Sequence, residues 1–381
     1  MMKKLLPEVC TIQYGFPFDS AKFSDSDGMP LIRIRDVVRG YSETYTTEEY
    51  KSEYIVHEND LLIGMDGEFN IAKWGKTPAL LNQRVCRLAP KGSIDKDYLF
   101  YFMPIALKRI EEKTPFVTVK HLPAKELNKI EIPVLPLEEQ RKIAETLSKV
   151  DELIAFRDQQ LAKLDELVKA RFVEMFGNPS NNSLGFPYEP LSNCLLSIEN
   201  GKSFVCSNDM RQEENPAILK LSAVTYGVYQ QDENKAILDS SMFVKSAEVH
   251  KGDLLFTRKN TPELVGMCAY VNDTAPNLMM PDLIFRLNTN EKINKIFLWK
   301  LINHEFFRGK IQNIATGSAK SMSNISKERL EKLAIILPPL HLQNDFAALV
   351  ERVDQQKQTV QQSLEKLELM KKALMQEYKS E

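Results

Sequence analysis

Two glycine-bearing loops gather polar, basic and aromatic side chains directly after hydrophobic strand patterns. The first loop reads MDGEFNIAKWGK from Met65, and the second reads TRKNTPELVG from Thr257. Arginine, lysine and asparagine carry the donors that match the edges of guanine and adenine, and loops on a rigid scaffold often carry function. The loops therefore predict contacts with nucleic-acid bases, and a surface loop without a role is the alternative. The candidate residues in them are Phe69, Asn70, Lys73, Trp74, Arg258, Lys259 and Asn260.

Further basic residues lie in a predicted strand and in two polar segments. The stretch from Leu31 to Val38 alternates apolar and charged residues, which predicts a half-buried strand with Arg33 and Arg35 on one face. That face could contact phosphate or base edges, or could simply be solvated. Lys120 and Lys320 lie in segments with small hydroxyl residues, which suit phosphate contact. Ser326 also suits the N-cap of a helix. This is a structural explanation for the second segment, and it is compatible with phosphate contact.

The sequence lacks the motifs of common catalysts. It contains no G-x-x-x-x-G-K-[ST] loop for ATP and no Gly-x-Gly turn for a methyl donor after a strand. His57 and His250 each precede a turn without a nucleophile or metal partner nearby in the sequence, so a structural role is predicted. The five cysteines are scattered and odd in number, which predicts free thiols. We therefore expect no catalytic residue and no metal site, and a protein that recognises its target without chemistry of its own.

Length and charge set wider bounds. A chain of 381 residues favours two to three domains. The net charge of −2 does not indicate a nucleic-acid binder, so any grip on DNA must be local or shared with a partner. No apolar run reaches about eighteen residues, and the beginning of the sequence lacks a long apolar segment with a cleavage site. The chain is predicted to be cytoplasmic.

Two long helices must position these loops. From Leu137 to Phe176 apolar residues recur at steps of three, four or seven, and Gly177 with Pro179 then predicts the end of the helix. A second stretch from Leu340 onward has the same periodicity. Forty residues at about 1.5 Å each give a rod of about 60 Å. Its narrow apolar stripe predicts a partner helix.

The chain is an internal duplication. A displacement of 203 residues carries Leu127-x-Lys129-x-x-Ile132 onto Leu330-x-Lys332-x-x-Ile335 and Gln140 onto Gln343. The period is far too long for a solenoid, so a duplicated domain is predicted. Because the two rods would then pair antiparallel, the loops of the two copies would belong to two separate globular halves.

This arrangement of globular half, long helix, globular half and long helix resembles the specificity (S) subunit of type I restriction-modification enzymes. The residues that carry the resemblance are the Asp-Leu-Leu runs from Asp60 and from Asp253 and the segment from Ile132 to Gln140. The segments that end at Gly177 and near Tyr378 complete it. In the second copy, His341-Leu342 replaces the Glu-Glu pair of the first, but the proline, leucine and glutamine positions remain.

The resemblance implies an α/β fold. Two globular α/β target-recognition domains would be joined by two long α-helices that pair as an antiparallel coiled coil, with pseudo-twofold internal duplication. The implied segments are a first target-recognition domain at 1–136, a first conserved-region helix at 137–177, a second target-recognition domain at 178–338 and a second conserved-region helix at 339–381.

The resemblance also implies partners. The chain would read a bipartite, asymmetric site in double-stranded DNA, with the helices fixing the gap between the half-sites. Two methyltransferase (M) subunits would methylate adenine with S-adenosylmethionine, and motor-nuclease (R) subunits would use ATP and Mg for restriction, while this chain would hold no cofactor and meet no membrane. A non-catalytic coiled-coil scaffold that binds protein partners is the alternative function.

Overall fold

The computed structural model describes residues 2–114, 120–317 and 322–380. It divides into two compact units, the first made of Met1–Asp158 with Gln362–Glu381 and the second of Gln159–Gln361. The helices are α1 Leu6–Val9, α2 Ile34–Arg39, α3 Lys96–Lys113, α4 Ala124–Leu127, α5 Leu137–Phe176, α6 Ser222–Thr225, α7 Lys295–Asn303, α8 Glu305–Asn313, α9 Lys327–Glu331 and α10 Leu340–Ser380. Among the described residues, none of these helices has the length and apolar character needed to cross a bilayer.

The strands are distributed between the two units. Those of the first unit are β1 Met2–Leu5, β2 Cys10–Tyr14, β3 Phe23–Ser24, β4 Met29–Ile32, β5 Tyr45–Thr46, β6 Ile55–Val56, β7 Leu61–Gly64, β8 Asn70–Lys73, β9 Ala79–Leu81, β10 Val85–Pro90 and β11 Glu131–Val134. Those of the second unit are β12 Tyr188–Pro190, β13 Leu195–Asn200, β14 Ala217–Leu219, β15 Asn234–Ala236, β16 Leu254–Thr257, β17 Lys259–Asn260, β18 Cys268–Tyr270, β19 Leu278–Met279, β20 Ile284–Thr289, β21 Ser323–Asn324 and β22 Ala334–Ile336.

In the first unit, an antiparallel sheet in the order β2-β10-β7-β8 packs its apolar face on α3. A second sheet has the order β3-β5-β4-β9-β6 and includes the parallel pair β4 and β9. Strands β1 and β11 form a separate antiparallel pair. Since β7 is buried at every position, its side chains serve both hydrophobic clusters that flank the sheet.

The second unit repeats this plan. Its antiparallel sheet has the order β13-β20-β16-β18, and its second sheet, β15-β14-β19, includes the parallel pair β14 and β19. Strands β12 and β22 pair as β1 and β11 do. The duplication that the 203-residue displacement predicts is therefore present in the topology, and both units are mixed α/β as predicted.

The two long helices begin at the residues where the apolar periodicity begins, Leu137 and Leu340. Helix α5 ends at Phe176, and Gly177 follows with a left-handed φ of 70°, which a glycine adopts without steric cost. Helix α10 begins at Leu340, directly after Pro339. The two long helices that the apolar periodicity predicts are therefore confirmed.

Within each unit the rods run antiparallel. In the first unit Asp151 pairs with Lys371 at 2.5 Å and Arg157 donates to Ser363 at 3.2 Å, so the partner number falls as the α5 number rises. In the second unit Asp165 pairs with Lys357 at 2.7 Å, and the Phe172 and Phe346 rings lie 5.4 Å apart. Apolar residues of both rods belong to the main hydrophobic cluster of each unit.

The predicted strand from Leu31 to Val38 is wrong beyond Ile32. Strand β4 ends there, and α2 begins at Ile34. The Asp36 carboxylate accepts the Arg33 backbone N–H at 2.9 Å, which fixes the first turn of the helix. Gly40 ends the helix with a φ of 74°. The alternating pattern was short enough to fit either a strand or one helical turn.

The apolar patterns from Leu81 to Leu88 and from Met280 to Leu287 each predict a strand, and the structure interrupts both. In the first unit β9 ends at Leu81 and β10 begins at Val85, with a turn between them in which Arg84 has a left-handed φ of 71°. In the second unit a turn after Met280 separates β19 from β20. Each predicted strand is therefore the junction of two strands in different sheets.

Two buried glutamines attach the rods to the globular parts. Gln140, fully buried, accepts the Asp95 N–H at 2.7 Å and donates to the Ser93 and Leu135 carbonyls. Gln343 accepts the Asn294 N–H at 2.9 Å and donates to the Lys292 and Pro338 carbonyls. Asp95 and Asn294 in turn cap α3 and α7, which contain the aromatic-rich stretches from Tyr98 to Met103 and from Phe297 to Ile302.

The five cysteines are free thiols, as predicted. Four are buried and Cys206 is half-buried. Burial raises the pKa of Cys10 and of Cys86 to about 12, so both remain protonated and unreactive at neutral pH.

Candidate nucleic-acid interface

In each unit, the strand that leads into the candidate loop is β7 or β16, and an aspartate lies directly before it. Asp60 accepts the His57 backbone N–H at 3.0 Å and pairs with Arg87 at 3.0 Å. Asp253 accepts the His250 N–H at 2.9 Å and pairs with Arg286 at 2.9 Å. The turns before β7 and β16 are thus fixed through backbone N–H groups, and the structural role of the His57 and His250 side chains stays a prediction.

Three segments then converge at the far end of that strand. In the first unit the Met65 N–H donates to the Arg84 carbonyl at 2.9 Å, and the Leu122 N–H donates to the Met65 carbonyl at 2.7 Å. In the second unit the Arg258 N–H donates to the Leu283 carbonyl at 3.0 Å, and the Ile325 N–H donates to the Arg258 carbonyl at 2.8 Å. The two units therefore join the same three segments with the same backbone hydrogen bonds. We call this set of segments the loop junction.

The loop junction of the first unit carries an exposed polar network. His121 Nδ1 lies 2.5 Å from Asp66 Oδ1 and 3.1 Å from Arg84 Nη1. Arg84 Nη1 lies 3.7 Å from the same Asp66 oxygen. The side chains of Arg84 and His121 are 51% and 46% exposed, whereas that of Asp66 is 21% exposed. The carboxylate therefore lies beneath two exposed groups and is positioned to hold both.

The loop junction of the second unit carries different side chains on the same backbone. Arg258 donates from Nε and Nη2 to Asn324 Oδ1 at 3.4 and 3.3 Å, and its guanidinium lies 5.0 Å from the Phe285 ring centroid. Lys259 pairs with Asn324 through the short strands β17 and β21. The predicted candidates Arg258 and Lys259 are therefore both on this junction, next to Asn324. Ser326, close by, caps α9 by accepting the Arg329 N–H at 3.3 Å, as predicted.

Arg33 and Arg35 do not share a strand face. Arg33 is the N-cap of α2 and Arg35 lies in its first turn. Side chains two positions apart on a helix point in well-separated directions. Both are exposed, and Arg35 lies 3.7 Å from Asp36. They remain surface cations, but the predicted reason for grouping them was wrong.

Two predicted aromatic contacts are not at the surface. Phe69 is 6% exposed and packs in the cluster with α3, and Trp74 is 2% exposed and donates its indole N–H to the Thr77 carbonyl at 2.7 Å. Asn260 is 7% exposed and donates to Thr225 at 3.1 Å. The side chains of these three residues fill the interior and not the surface, and their role as DNA contacts stays a prediction.

Of the other predicted residues, Lys73 and Lys120 form ion pairs, Asn70 is half-buried, and Lys320 is not among the residues that the structure describes. Lys73 pairs with Asp97 at 2.9 Å and lies 5.1 Å from the Phe100 ring centroid, and Lys120 pairs with Glu111 at 3.7 Å. Asn70 is half-buried at the start of β8. Lys320 lies outside the described residues.

Sequence reasoning did not group Arg84, His121 and Asp66. The apolar pattern from Leu81 to Leu88 predicts a strand through Arg84, although Asn82 and Gln83 before it are compatible with a turn. His121 lies 55 residues from Asp66, so only the fold brings them together. Within the described part of the chain, no group of three or more His, Cys, Asp or Glu side chains is arranged to hold a metal ion.

The model of the type I restriction modification DNA specificity domain matches residues 1–166 and 195–369. The chain belongs to this family. The two matched segments correspond to the two copies of the duplication, so the family resemblance drawn from the sequence is confirmed.

Relatives in the type I specificity family differ in how much they share with this chain. The EcoBI specificity subunit of Escherichia coli is 41% identical over 164 residues, which are 42% of this chain and 34% of that subunit. The MjaVIII specificity subunit of Methanocaldococcus jannaschii is 24% identical over 385 aligned positions, covering 91% of this chain and 87% of the subunit. Resemblance to EcoBI is thus closer but confined to about a third of its length.

Solved structures show the same fold. The S subunit of a type I restriction-modification system from M. genitalium superimposes with a TM-score of 0.63 at 13% identity, covering 99% of this chain and 95% of that one. A chain from a structure of type I R-M complex assembly and conformational transition gives a TM-score of 0.57 at 17% identity, covering 99% and 97%. The predicted fold class, two α/β repeats with long helices, is confirmed. The finer segment boundaries at 136, 177 and 338 stay a prediction.

Proposed function

We propose that this chain is the DNA-recognition subunit of a type I restriction-modification complex. Each unit reads one half of a split site in double-stranded DNA through its loop junction. The observation that carries the proposal is that two copies of one backbone arrangement carry different exposed and half-buried polar side chains, with Asp66, Arg84 and His121 in one and Arg258, Lys259 and Asn324 in the other. Because different donors and acceptors match different base edges, the two half-sites differ and the whole site is asymmetric.

Affinity is shared with partner subunits. The net charge of −2 leaves this chain without the strongly basic surface that a solitary DNA binder needs. Two methyltransferase subunits, bound along the rods, supply much of the phosphate contact. They also carry S-adenosylmethionine and methylate adenine in each half-site. Motor-nuclease subunits, when they join, bring ATP and Mg and cut DNA that lacks the methyl groups.

This chain contributes recognition and no bond-breaking step. Its exposed polar network lacks a nucleophile, since Asp66 is held by His121 and Arg84. The loop junction therefore discriminates and positions, and the reacting groups belong to the partners. Purified chain incubated alone with DNA and labelled S-adenosylmethionine is expected to transfer no methyl group, and transfer by the chain alone would overturn this assignment.

The decisive experiment is to read the methylated motif. Genomic DNA from cells that express this chain with its methyltransferase subunit is expected to carry methyladenine in a motif of two unlike halves separated by a fixed unread gap. Cells with the methyltransferase subunit alone are the control. A motif with no gap, or no motif that depends on this chain, would instead favour a scaffold that binds protein partners.

The rods set the gap in this proposal, and a matched deletion tests that. Removing 157–163 from α5 and 358–364 from α10 takes out facing segments and leaves the Asp151–Lys371 and Asp165–Lys357 pairs on either side. Seven residues shorten each rod by about 10 Å, which is about three base pairs of DNA. The half-site sequences are expected to stay while the gap shortens by about three. An unchanged gap in a folded, active complex would refute the role of the rods.

A further inference from the structure

Arg84 occupies a constrained place on the loop junction of the first unit. It lies on the turn between β9 and β10 with a φ of 71°, a left-handed conformation that is uncommon for a residue with a side chain. Its carbonyl accepts the Met65 N–H at 2.9 Å, which fixes this backbone against the loop that carries Asp66. The turn therefore holds the arginine at one position instead of letting it move with a flexible loop.

Asp66 organises the exposed groups around it. His121 Nδ1 is 2.5 Å from the carboxylate and 3.1 Å from Arg84 Nη1. Since the carboxylate contact is the shorter, we assign the imidazole proton to Nδ1, donating to Asp66. With the proton on Nδ1, Arg84 Nη1 cannot donate to that nitrogen, and the same carboxylate oxygen attracts Arg84 Nη1 at 3.7 Å. In the described part of the chain, Arg84 Nε and Nη2 make no hydrogen bond, so these donors of the guanidinium are available to a ligand.

The second unit shows that this network is a variable feature of a repeated backbone. Leu283 stands where the first unit has Arg84, as the carbonyl that accepts the loop N–H shows. Lys259 and Asn324 pair where Asp66 and His121 pair in the first unit. All three positions thus differ in side-chain chemistry, although the backbone hydrogen bonds around them match. A network needed only for folding would be expected in both units.

We propose that Arg84 reads a guanine in the half-site bound by the first unit, and that Asp66 and His121 are positioning residues for it. This inference rests on the proposed function. A guanidinium with two free donors matches the O6 and N7 acceptors of guanine in the major groove. The buried side of the same group is held by Asp66, so its rotation is restricted before DNA binds. The second unit, which has leucine at this position, must select its bases with other groups.

The test uses the complex of this chain with its methyltransferase subunits and a library of random DNA sequences, read by sequencing of methylated sites. Arg84→Ala is expected to lower discrimination at one guanine of one half-site by about tenfold or more, with the other half-site read as before. Arg84→Lys keeps the charge but loses the planar fork, so it is expected to resemble the alanine variant. Asp66→Asn is expected to give a smaller loss at the same position, because it removes the carboxylate that holds Arg84.

The control is Arg39→Ala, which removes an equal charge from an exposed residue of the first unit that pairs with Glu43 at 3.6 Å. It is expected to read both half-sites as the unmodified chain does. Full discrimination by Arg84→Ala, or its restoration by Arg84→Lys, would overturn the inference. A uniform loss at all positions with a weaker salt dependence would also overturn it, since that is the behaviour of a phosphate contact. If the unmodified complex shows no sequence preference, the proposed function itself fails.

Discussion

In the first unit Gln140 joins a rod to the N-terminus of α3, and in the second unit Gln343 makes the corresponding three hydrogen bonds to the N-terminus of α7. The ion pairs of Asp60 with Arg87 and of Asp253 with Arg286 likewise correspond. These are buried or half-buried polar groups, and leaving one without its partner is costly. Duplicated copies can therefore diverge around such groups but cannot easily lose them.

The places where the rods meet the aromatic helices have diverged. In the first unit the Tyr101 hydroxyl donates to Asp151 at 3.0 Å, and Lys371 pairs with the same carboxylate. The cavity that Tyr101 lines there is only about 20 Å³. In the second unit Lys300 takes the place of Tyr101 and Asp354 that of Asp151, beside a cavity of about 450 Å³. The Lys300 amine lies 3.5 Å from the Trp299 ring centroid. The first unit therefore has the Tyr101 hydroxyl beside a small cavity, and the second unit has the Lys300 amine beside a large one.

The largest difference between the two units is expected in the free energy of unfolding, when apolar residues where the rods meet the aromatic helices are replaced. Phe172 is 1% exposed, and its ring packs on those of Phe297 and Phe346, whereas its counterpart in the first unit, Met375, is only half-buried. Phe172→Ala is expected to lower the free energy of unfolding by about 4 kcal/mol. Met375→Ala is expected to lower it by about half as much, because less of the side chain leaves an apolar environment.

Urea denaturation measures both changes. Phe156→Ala on the same helix is the control, since that side chain is 62% exposed and its loss is expected to change stability by less than about 0.5 kcal/mol. Equal costs for Phe172→Ala and Met375→Ala would show that the two places are packed alike, contrary to the comparison.

The shared glutamines give the next effect in size. Gln140→Ala and Gln343→Ala each remove three hydrogen bonds from a fully buried site. Each is expected to lower the free energy of unfolding by about 2 kcal/mol, because an N–H and two carbonyls lose their partners. Since the two sites correspond, the costs should agree within about 0.5 kcal/mol. A large inequality in urea denaturation would mean that the common arrangement supports only one unit.

The sequence was sufficient for the rods because their signal is local and long. Forty residues of helical periodicity without Gly or Pro, followed by Gly177, leave few alternatives for α5. The buried turns before β7 and β16 were also predictable, because Asp60 and Asp253 bond to backbone groups three residues away.

Short patterns misled for the opposite reason. The stretch after Leu31 alternates like a strand, but Asp36 captures the Arg33 N–H and begins a helix. Trp74 lies in a polar loop sequence yet fills a hydrophobic cluster, since only the fold shows that the cluster has room for it. The network of Asp66, Arg84 and His121 joins three distant segments. No spacing in the sequence could reveal it.

The smallest expected effect concerns Lys300. Burial lowers its pKa to about 8, although Asp354 attracts the charged form. Burial also raises the pKa of Asp354, so for both groups desolvation outweighs their attraction. Lys357 and Asp165 are the other charges that act on Lys300, with opposite signs. Below about pH 8 the amine is charged in the folded and unfolded chain alike, and its burial lowers stability by the full amount.

The pH dependence follows from the direction of that shift. Between about pH 8 and the unfolded value of 10.5 the unfolded chain binds the proton more tightly, so stability rises with pH in this window. Lys300→Met is therefore expected to stabilise the chain by about 1 kcal/mol at pH 7, less than the pKa shift alone implies because Asp354 loses its attraction. The gain should shrink as the pH rises from 8 to 10.5. Urea denaturation across pH 7 to 10, with the exposed Lys163→Met as control, distinguishes this from a gain in packing, which would not depend on pH. A destabilised variant at pH 7 would show instead that the contact of Lys300 with Trp299 outweighs the cost of burial.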